Sequence, residues 1–259
     1  MGIGDVLKIA FFVLLILALA LAVMNYIQQA SQPKPVLVMN WPAGITYKGP
    51  DTTALAGYYC IESINSSNGY SIQLNAQFNN GEWGAQDVYM VTPWGQTGFG
   101  ENVWPCGYQG CQPVSIKFVP ANAPCAWLVI AIKNGYAYIG YSLDSKSITW
   151  FEEYPVNATY ITTTIPGLPL PSGYTGIVLA GYGNGYQAQL GRGTLVYLAL
   201  YYWNGTSWVS APVGVNHGFQ TGETVNNAWV YASNTCGGVV SWPSPVNNTQ
   251  CPSPPNFRP

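Results

Sequence analysis

The chain has 259 residues, of which only 7% are charged, and its formal net charge at neutral pH is −2. The sequence contains no basic patch and no acidic tail, so we expect no nucleic-acid partner, because phosphate binding needs clustered lysine and arginine. A hydrophobic content of 48% is sufficient for one sizeable core.

The first predicted element is an apolar helix within residues 1–31. Its central segment, from Ile9 to Ile27, carries no charged residue. At ~1.5 Å per residue it spans roughly 28 Å, close to the hydrocarbon thickness of a bilayer. We therefore expect this helix to cross a membrane or to form the core of a filament. A secretory signal peptide is the alternative, because small residues such as Ala18 and Ala30 offer cleavage points.

Prolines and glycines follow the helix and predict a linker over residues 32–52. The segments Gln32–Pro35 and Trp41–Gly44 both disfavour a continued helix, and they indicate a short, stiff connection.

Residues 53–240 consist of short runs rich in Val, Ile, Tyr, Thr and Trp, separated by Gly, Pro and Asn. This pattern predicts an all-β, sandwich-like domain. Asn-Gly pairs at Asn134-Gly135 and Asn204-Gly205 predict hairpin turns. A tail rich in Pro and Asn, residues 241–259, is expected to be irregular.

Six cysteines lie beyond the helix, and none belongs to a CxxC pair. Disulfides are therefore favoured over metal ligation, which indicates an oxidising, extracellular environment. Spacing suggests Cys106 with Cys111 and Cys236 with Cys251, which leaves Cys60 with Cys125. Other pairings remain open, as does a set of buried free thiols.

Four asparagines begin an Asn-x-Ser/Thr acceptor triplet and are predicted glycosylation sites: Asn65, Asn157, Asn204 and Asn247.

A lone histidine and a glycine-rich segment could suggest a metal or nucleotide site, but each is better interpreted as part of a loop. The single histidine, His217, has no second imidazole to share a metal and no nucleophile motif. The glycine-rich segment Gly181–Gly185 is not followed by a helical pattern, as a dinucleotide site would be. We therefore expect no metal and no cofactor.

Carboxylates are scarce, and Glu223 and Asp87 are the catalytic candidates. Peptide hydrolysis without a metal or a nucleophile needs a carboxylate that activates water and a donor that stabilises the oxyanion. Glu223 could be the base with the Gln86 amide as the donor, or Asp87 and Glu223 could share one proton as a dyad. On a strand, Gln86 and Asp87 point to opposite faces, so the two mechanisms exclude each other. A simple turn that includes Glu223 is a third interpretation.

Several segments between about Trp83 and Tyr231 resemble the thermopsin family of acid proteases. The most specific are Gly193-Thr-Leu, Leu200–Trp208 and Thr221-Gly-Glu-Thr224. Gln86-Asp87-Val88 and Asn102-Val-Trp104 are similar to two further family elements. The resemblance implies an acid endopeptidase acting on polypeptides.

The N-terminal helix loosely resembles that of a mature type IV pilin, which carries an acid at its fifth position. Asp5 matches that position, whereas Lys8 departs from the pattern. Together these features predict an extracellular filament or surface subunit that binds copies of itself through the helix and carries a thermopsin-like sandwich. The alternative is an acid endopeptidase tethered to membrane lipid.

Overall fold

The computed structural model describes residues 3–30, 34–79, 81, 83–105, 112–114, 116–163, 175–183, 185–216, 223–241 and 251–259. The chain forms two compact units, residues 1–34 and 35–259.

The first unit contains one helix, α1, over Ile3–Ala30. Large apolar side chains such as Phe11, Leu14 and Leu17 are exposed. Over the described residues, no helix is both long and apolar enough to cross a membrane. The membrane anchor and the filament core both stay predictions. The side chains of Asp5 and Lys8 lie outside the described part of the chain.

The second unit is all-β, as predicted. Its described strands are β1 Val36–Val38, β2 Ala43–Tyr47, β3 Ala54–Ser63, β4 Tyr70–Phe78, β5 Gly84–Val91, β6 Thr97–Trp104, β7 Ile116–Pro120, β8 Cys125–Lys133, β9 Tyr136–Ser142, β10 Thr149–Pro155, β11 Ile161–Thr162, β12 Gly176–Ala180, β13 Gln187–Gln189, β14 Leu195–Trp203, β15 Trp208–Ser210, β16 Val213–Val215, β17 Thr224–Asn226, β18 Ala228–Ala232 and β19 Cys236–Val240.

Two large sheets form a sandwich. The nine-stranded sheet has the order β1-β18-β19-β14-β3-β8-β9-β10, with β15 beside β14. The eight-stranded sheet has the order β16-β2-β12-β4-β5-β6-β7, with β11 beside β4. A short parallel pair, β13 and β17, stands apart from both.

Side-chain alternation along the strands explains why the two sheets pack together. On β4, the apolar residues Tyr70, Ile72, Leu74, Ala76 and Phe78 all belong to the main hydrophobic core. The residues between them are polar and occupy the other face of the sheet. The core therefore lies on one face of the eight-stranded sheet, and the opposite face carries polar side chains.

The segment predicted as a linker over residues 32–52 instead supplies two paired strands. β1 pairs with β18, and β2 lies between β12 and β16. Ala43 and Ile45 are fully buried. The prolines and glycines bound short strands here, and burial of the intervening apolar residues outweighs the signal for an irregular linker.

Both Asn-Gly pairs lie in hairpin turns. Asn134 and Gly135 have positive φ angles of 54° and 78°, which suit the two-residue turn between β8 and β9. Asn204 and Gly205 begin a four-residue connection between Trp203 and Trp208.

Two of the three expected disulfides lie within the described residues. Cys60 and Cys125 are directly opposite each other on β3 and β8 and form one. Cys236 on β19 forms the other with Cys251 in the tail. Cys106 and Cys111 lie outside the described residues.

The described part of the tail, residues 251–259, contains no helix or strand and packs on the sandwich. Phe257 is buried, and its carbonyl accepts a hydrogen bond from the Trp208 indole at 2.8 Å.

Candidate active site

The polar face of the eight-stranded sheet carries a row of amide side chains. Gln73 and Asn75 point outward from β4, and Gln86 and Asn102 lie beside them on β5 and β6. Asn75, Gln86 and Asn102 are directly opposite one another across three strands. Gln73 and Gln86 are only 2% and 6% exposed, so these amides are held away from bulk solvent.

Glu223 reaches this row from outside the sheet. It immediately precedes β17, whose pairing with β13 fixes the local backbone, and the Thr224 N–H bonds to the Tyr186 carbonyl at 3.2 Å. The Gln73 amide nitrogen, Nε2, donates to Glu223 Oε2 at 2.5 Å. A carboxylate and a carboxamide, 150 positions apart in sequence, are thus in direct contact.

The environment of Glu223 favours its neutral form. Burial raises the pKa of the Glu223 carboxyl above its ordinary value, and the hydrogen bond from Gln73 opposes part of that rise. The group can therefore exchange protons in acid at a higher pH than an exposed glutamate does.

Gln86 contacts the site through Gln73. Its Nε2 donates to Gln73 Oε1 and to Asn75 Oδ1, each at 2.9 Å. Its Oε1 accepts a hydrogen bond from Asn102 Nδ2 at 3.2 Å. Gln73 therefore lies between Gln86 and Glu223, and the role predicted for Gln86 stays a prediction.

Asp87 lies on the opposite face of β5, in the core. Its Oδ2 accepts the Val129 backbone N–H at 2.9 Å, and Glu101 is directly across from it on β6. Burial is the largest cause that holds the pKa of Asp87 well above its usual range. Glu101 adds to the rise, while backbone hydrogen bonds from Val129 and Val88 oppose it. The alternative dyad of Asp87 with Glu223 is therefore not assembled.

Gln73 is the residue that sequence reasoning missed. A signal was present, since polar residues alternate with apolar ones from Ser71 to Gln77. On a strand that buries one face in a core, such a pattern predicts a second, polar face that can carry functional side chains. The Ser71 hydroxyl accepts from Gln73 Nε2 at 2.8 Å and donates to the Gly181 carbonyl at 2.6 Å.

Three aromatic side chains form a cluster centred on Tyr182, which follows Gly181, whose carbonyl accepts a hydrogen bond from the Ser71 hydroxyl. The Tyr182 ring is 5.4 Å from Trp94 and 4.3 Å from Tyr186, measured between ring centroids. Trp94 is 62% exposed and Tyr186 is 43% exposed. The glycine-rich segment brings these rings together, because any side chain at Gly181 would place its Cβ 1.9 Å from the Tyr186 carbonyl oxygen.

The other predicted sites are located as follows. Asn65, Asn157 and Asn204 are exposed, as glycan attachment requires, whereas Asn247 and His217 lie outside the described residues. Among the described side chains, no group of three or more His, Cys, Asp or Glu is placed to hold a metal ion. A cavity of about 670 Å³ near Lys133 and Trp150 is lined mainly by residues of β8–β10 and the tail, together with Thr53, Ala158, Thr159 and Trp203. None of its lining residues belongs to the amide row.

No protein-family model matches the chain, and a search among curated proteins finds no significant match. The resemblance to thermopsins therefore stays a prediction. Among solved structures, the chain is similar to two of scytalido-glutamic peptidase with transition-state analogues, at 8% and 9% identity and a TM-score of 0.46. It is also similar to SCP-B, a member of the eqolisin family of peptidases, at 8% identity and a TM-score of 0.42. Each likeness covers 79% of this chain and 99% of the other.

Proposed function

We propose that this protein is an extracellular acid endopeptidase in which Glu223 and Gln73 activate water. The observation that carries the proposal is the hydrogen bond between Gln73 Nε2 and Glu223 Oε2. It joins the two groups that metal-free peptide hydrolysis needs, a carboxylate for proton transfer and a donor for the developing oxyanion.

The reaction begins with ionised Glu223. Its carboxylate removes a proton from a water molecule as the water oxygen bonds to the peptide carbonyl carbon. The carbonyl electron pair moves to its oxygen, which becomes an oxyanion. As Glu223 takes up the proton, the Gln73 N–H that bonded its carboxylate is released to stabilise that oxyanion. Protonated Glu223 then gives its proton to the amide nitrogen. The oxyanion electron pair re-forms the carbonyl as the carbon–nitrogen bond breaks, which leaves a carboxylic acid and an amine.

The raised pKa of Glu223 suits both halves of this cycle. A group that must first accept and then return a proton works best near its own pKa, which for a carboxyl lies in acid. The two described disulfides favour an oxidising, extracellular location.

A polypeptide substrate is supported by two observations. The exposed rings of Trp94 and Tyr186 offer apolar surface for substrate side chains, and the Tyr186 carbonyl accepts the N–H of Thr224, the residue that follows Glu223. The motif resemblance to thermopsins implies the same substrate class. The filament subunit expected from the N-terminal helix stays a prediction from the sequence.

The direct test is cleavage of an unfolded protein substrate by the full chain across an acidic to neutral pH series. We expect Glu223→Gln to abolish cleavage, because it preserves size and hydrogen bonding but removes proton exchange. Glu153→Gln, which neutralises an exposed carboxylate on β10, is the matched control and should retain wild-type activity. Equal cleavage by both variants would refute the assignment.

A further inference from the structure

The amide row is a directional chain of hydrogen bonds that ends at Glu223. Asn102 Nδ2 donates to Gln86 Oε1, Gln86 Nε2 donates to Gln73 Oε1, and Gln73 Nε2 donates to the carboxylate. Gln86 and Gln73 therefore each accept at the side-chain oxygen from the direction away from Glu223, and each donates toward Glu223.

The direction follows from the chemistry of the last acceptor. Ionised Glu223 can only accept, so the NH₂ group of Gln73 must face it. The Gln73 oxygen then faces Gln86 and needs a donor there, which only the NH₂ group of Gln86 provides. By the same reasoning, the Gln86 oxygen requires the NH₂ group of Asn102.

Both intermediate amides have their hydrogen-bonding capacity committed. The two N–H donors of Gln73 go to Glu223 and Ser71, and those of Gln86 go to Gln73 and Asn75. A carboxamide that lacks such partners can turn by half a rotation at little cost, which would present its oxygen instead of its NH₂ group. For Gln73, that rotation would direct a carbonyl oxygen at the Glu223 carboxylate.

From this chain of hydrogen bonds we infer that Asn102 is a positioning residue. Through Gln86, it fixes the orientation of the Gln73 amide toward Glu223. The inference rests on the proposed function for its catalytic consequence. Asn102 does not contact Glu223 in any described hydrogen bond. Its role is to supply the donor without which the direction of the chain is no longer determined.

The decisive variant is Asn102→Asp, which keeps the size of the side chain but reverses its hydrogen bonding. When ionised, the new carboxylate can only accept, so Gln86 turns its NH₂ group toward it, and Gln73 turns its own away from Glu223. We expect kcat to fall roughly 10–100-fold, with little change in KM. This is the range typical of residues that orient a reactive group without contacting the substrate themselves.

The loss should depend on pH in a way that a packing defect does not. Below the pKa of the introduced carboxyl, its O–H can donate to Gln86 Oε1, so the original direction and most of the activity return. Asn226→Asp is the matched control. It adds the same charge three residues from Glu223. The Asn226 amide bonds Gln189 and is not part of the chain of hydrogen bonds that ends at Glu223. The control should show no such recovery.

A second measurement needs no catalysis. In nuclear magnetic resonance spectra of the wild-type protein, the side-chain NH₂ signals of Gln73 and Gln86 should shift together as Glu223 titrates. In Asn102→Asp at a pH where the new group is ionised, the Gln86 response should disappear. Gln86 signals that ignore the Glu223 titration in wild type would overturn the inference, as would full kcat for Asn102→Asp at every pH.

These outcomes separate the two proposals. An inactive wild type, or an active Glu223→Gln variant, refutes the peptidase but leaves the amide signals to decide the direction of the chain. An active wild type that Glu223→Gln inactivates and Asn102→Asp does not affect refutes the positioning role alone.

Discussion

At the scale of single residues, the proposed mechanism depends on the contact between Gln73 and Glu223. Gln73 has two effects on its partner. In the proposed mechanism it supplies a donor for the oxyanion, and its hydrogen bond lowers the pKa of Glu223 against the larger rise that burial produces. The two effects can be separated by pH.

Gln73→Met removes the amide while nearly preserving side-chain length. We expect kcat to fall about 10²–10³-fold, the usual loss when one oxyanion donor is removed. Without the hydrogen bond, the pKa of Glu223 rises further, so the low-pH limb of the rate profile moves to higher pH. Measuring kcat against pH checks both effects, and a limb that stays in place would contradict the pKa assignment.

The sequence located one partner of this pair and not the other. Glu223 stands out because carboxylates are scarce and because its neighbours resemble a family motif. Gln73 lies in a strand where polar alternation is ordinary, and it meets Glu223 only because a separate short strand pair carries that residue over the sheet. Local pattern cannot specify a contact across 150 positions.

At the scale of elements, the alternation of side chains along a strand predicted which face each residue occupies. The sequence pattern was less successful at predicting where every strand lies. It separated Gln86 from Asp87 onto opposite faces, and the structure places them there. It did not reveal β1 and β2, because each is short and bounded by proline or glycine, features that also belong to linkers. Their pairing partners, β18, β12 and β16, come from the other end of the chain.

Gly44 provides a test of the place of β2 in the sheet. A Cβ at this position would lie 2.2 Å from the Ile177 carbonyl oxygen and 2.6 Å from the Val178 Cα, both backbone atoms of β12. Gly44→Ala should therefore push the strands apart and lower the free energy of unfolding by about 1–3 kcal/mol, as overpacking typically does.

The matched control is Gly183→Ala, since a Cβ there would meet no atom within 4 Å. Urea unfolding of the two variants should show a lower midpoint for Gly44→Ala alone. A Gly44→Ala variant as stable as wild type would mean that residues 43–47 form a linker, as the composition suggests.

At the scale of the whole molecule, the sandwich encloses two carboxyl groups that the proposed reaction does not use. Asp87 and Glu101 face each other across β5 and β6, inside the core, and are 0% and 1% exposed. The Tyr154 hydroxyl donates to Glu101 Oε1 at 2.8 Å. Lys117 lies opposite Glu101 on β7, and its ammonium group pairs with Glu152. Burial is the largest cause that raises the pKa of the nearby Tyr59 phenol, and Tyr89 and Asp87 add to that rise.

We expect the buried Asp87 carboxyl to stabilise the folded state more in acid than at neutral pH. The pKa of Asp87 is higher in the folded than in the unfolded chain, so the folded state binds its proton more tightly. The stabilisation is fully present below about pH 3.9, the ordinary value for aspartate, and is lost progressively as pH rises through the raised pKa. Each pH unit within that window removes up to about 1.4 kcal/mol.

Asp87→Asn should abolish this loss, because an amide of the same shape stays neutral and its oxygen can still accept the Val129 N–H. Chemical unfolding at a series of pH values would then show similar stability for variant and wild type in acid, and a more stable variant near neutrality. Asp144→Asn is the contrasting control. Backbone hydrogen bonds from Lys146 and Ser147 lower the pKa of that exposed carboxyl, so its replacement should leave the decline toward neutral pH in place. If Asp87→Asn declines as steeply as wild type, a different group must limit the stability of the fold at neutral pH.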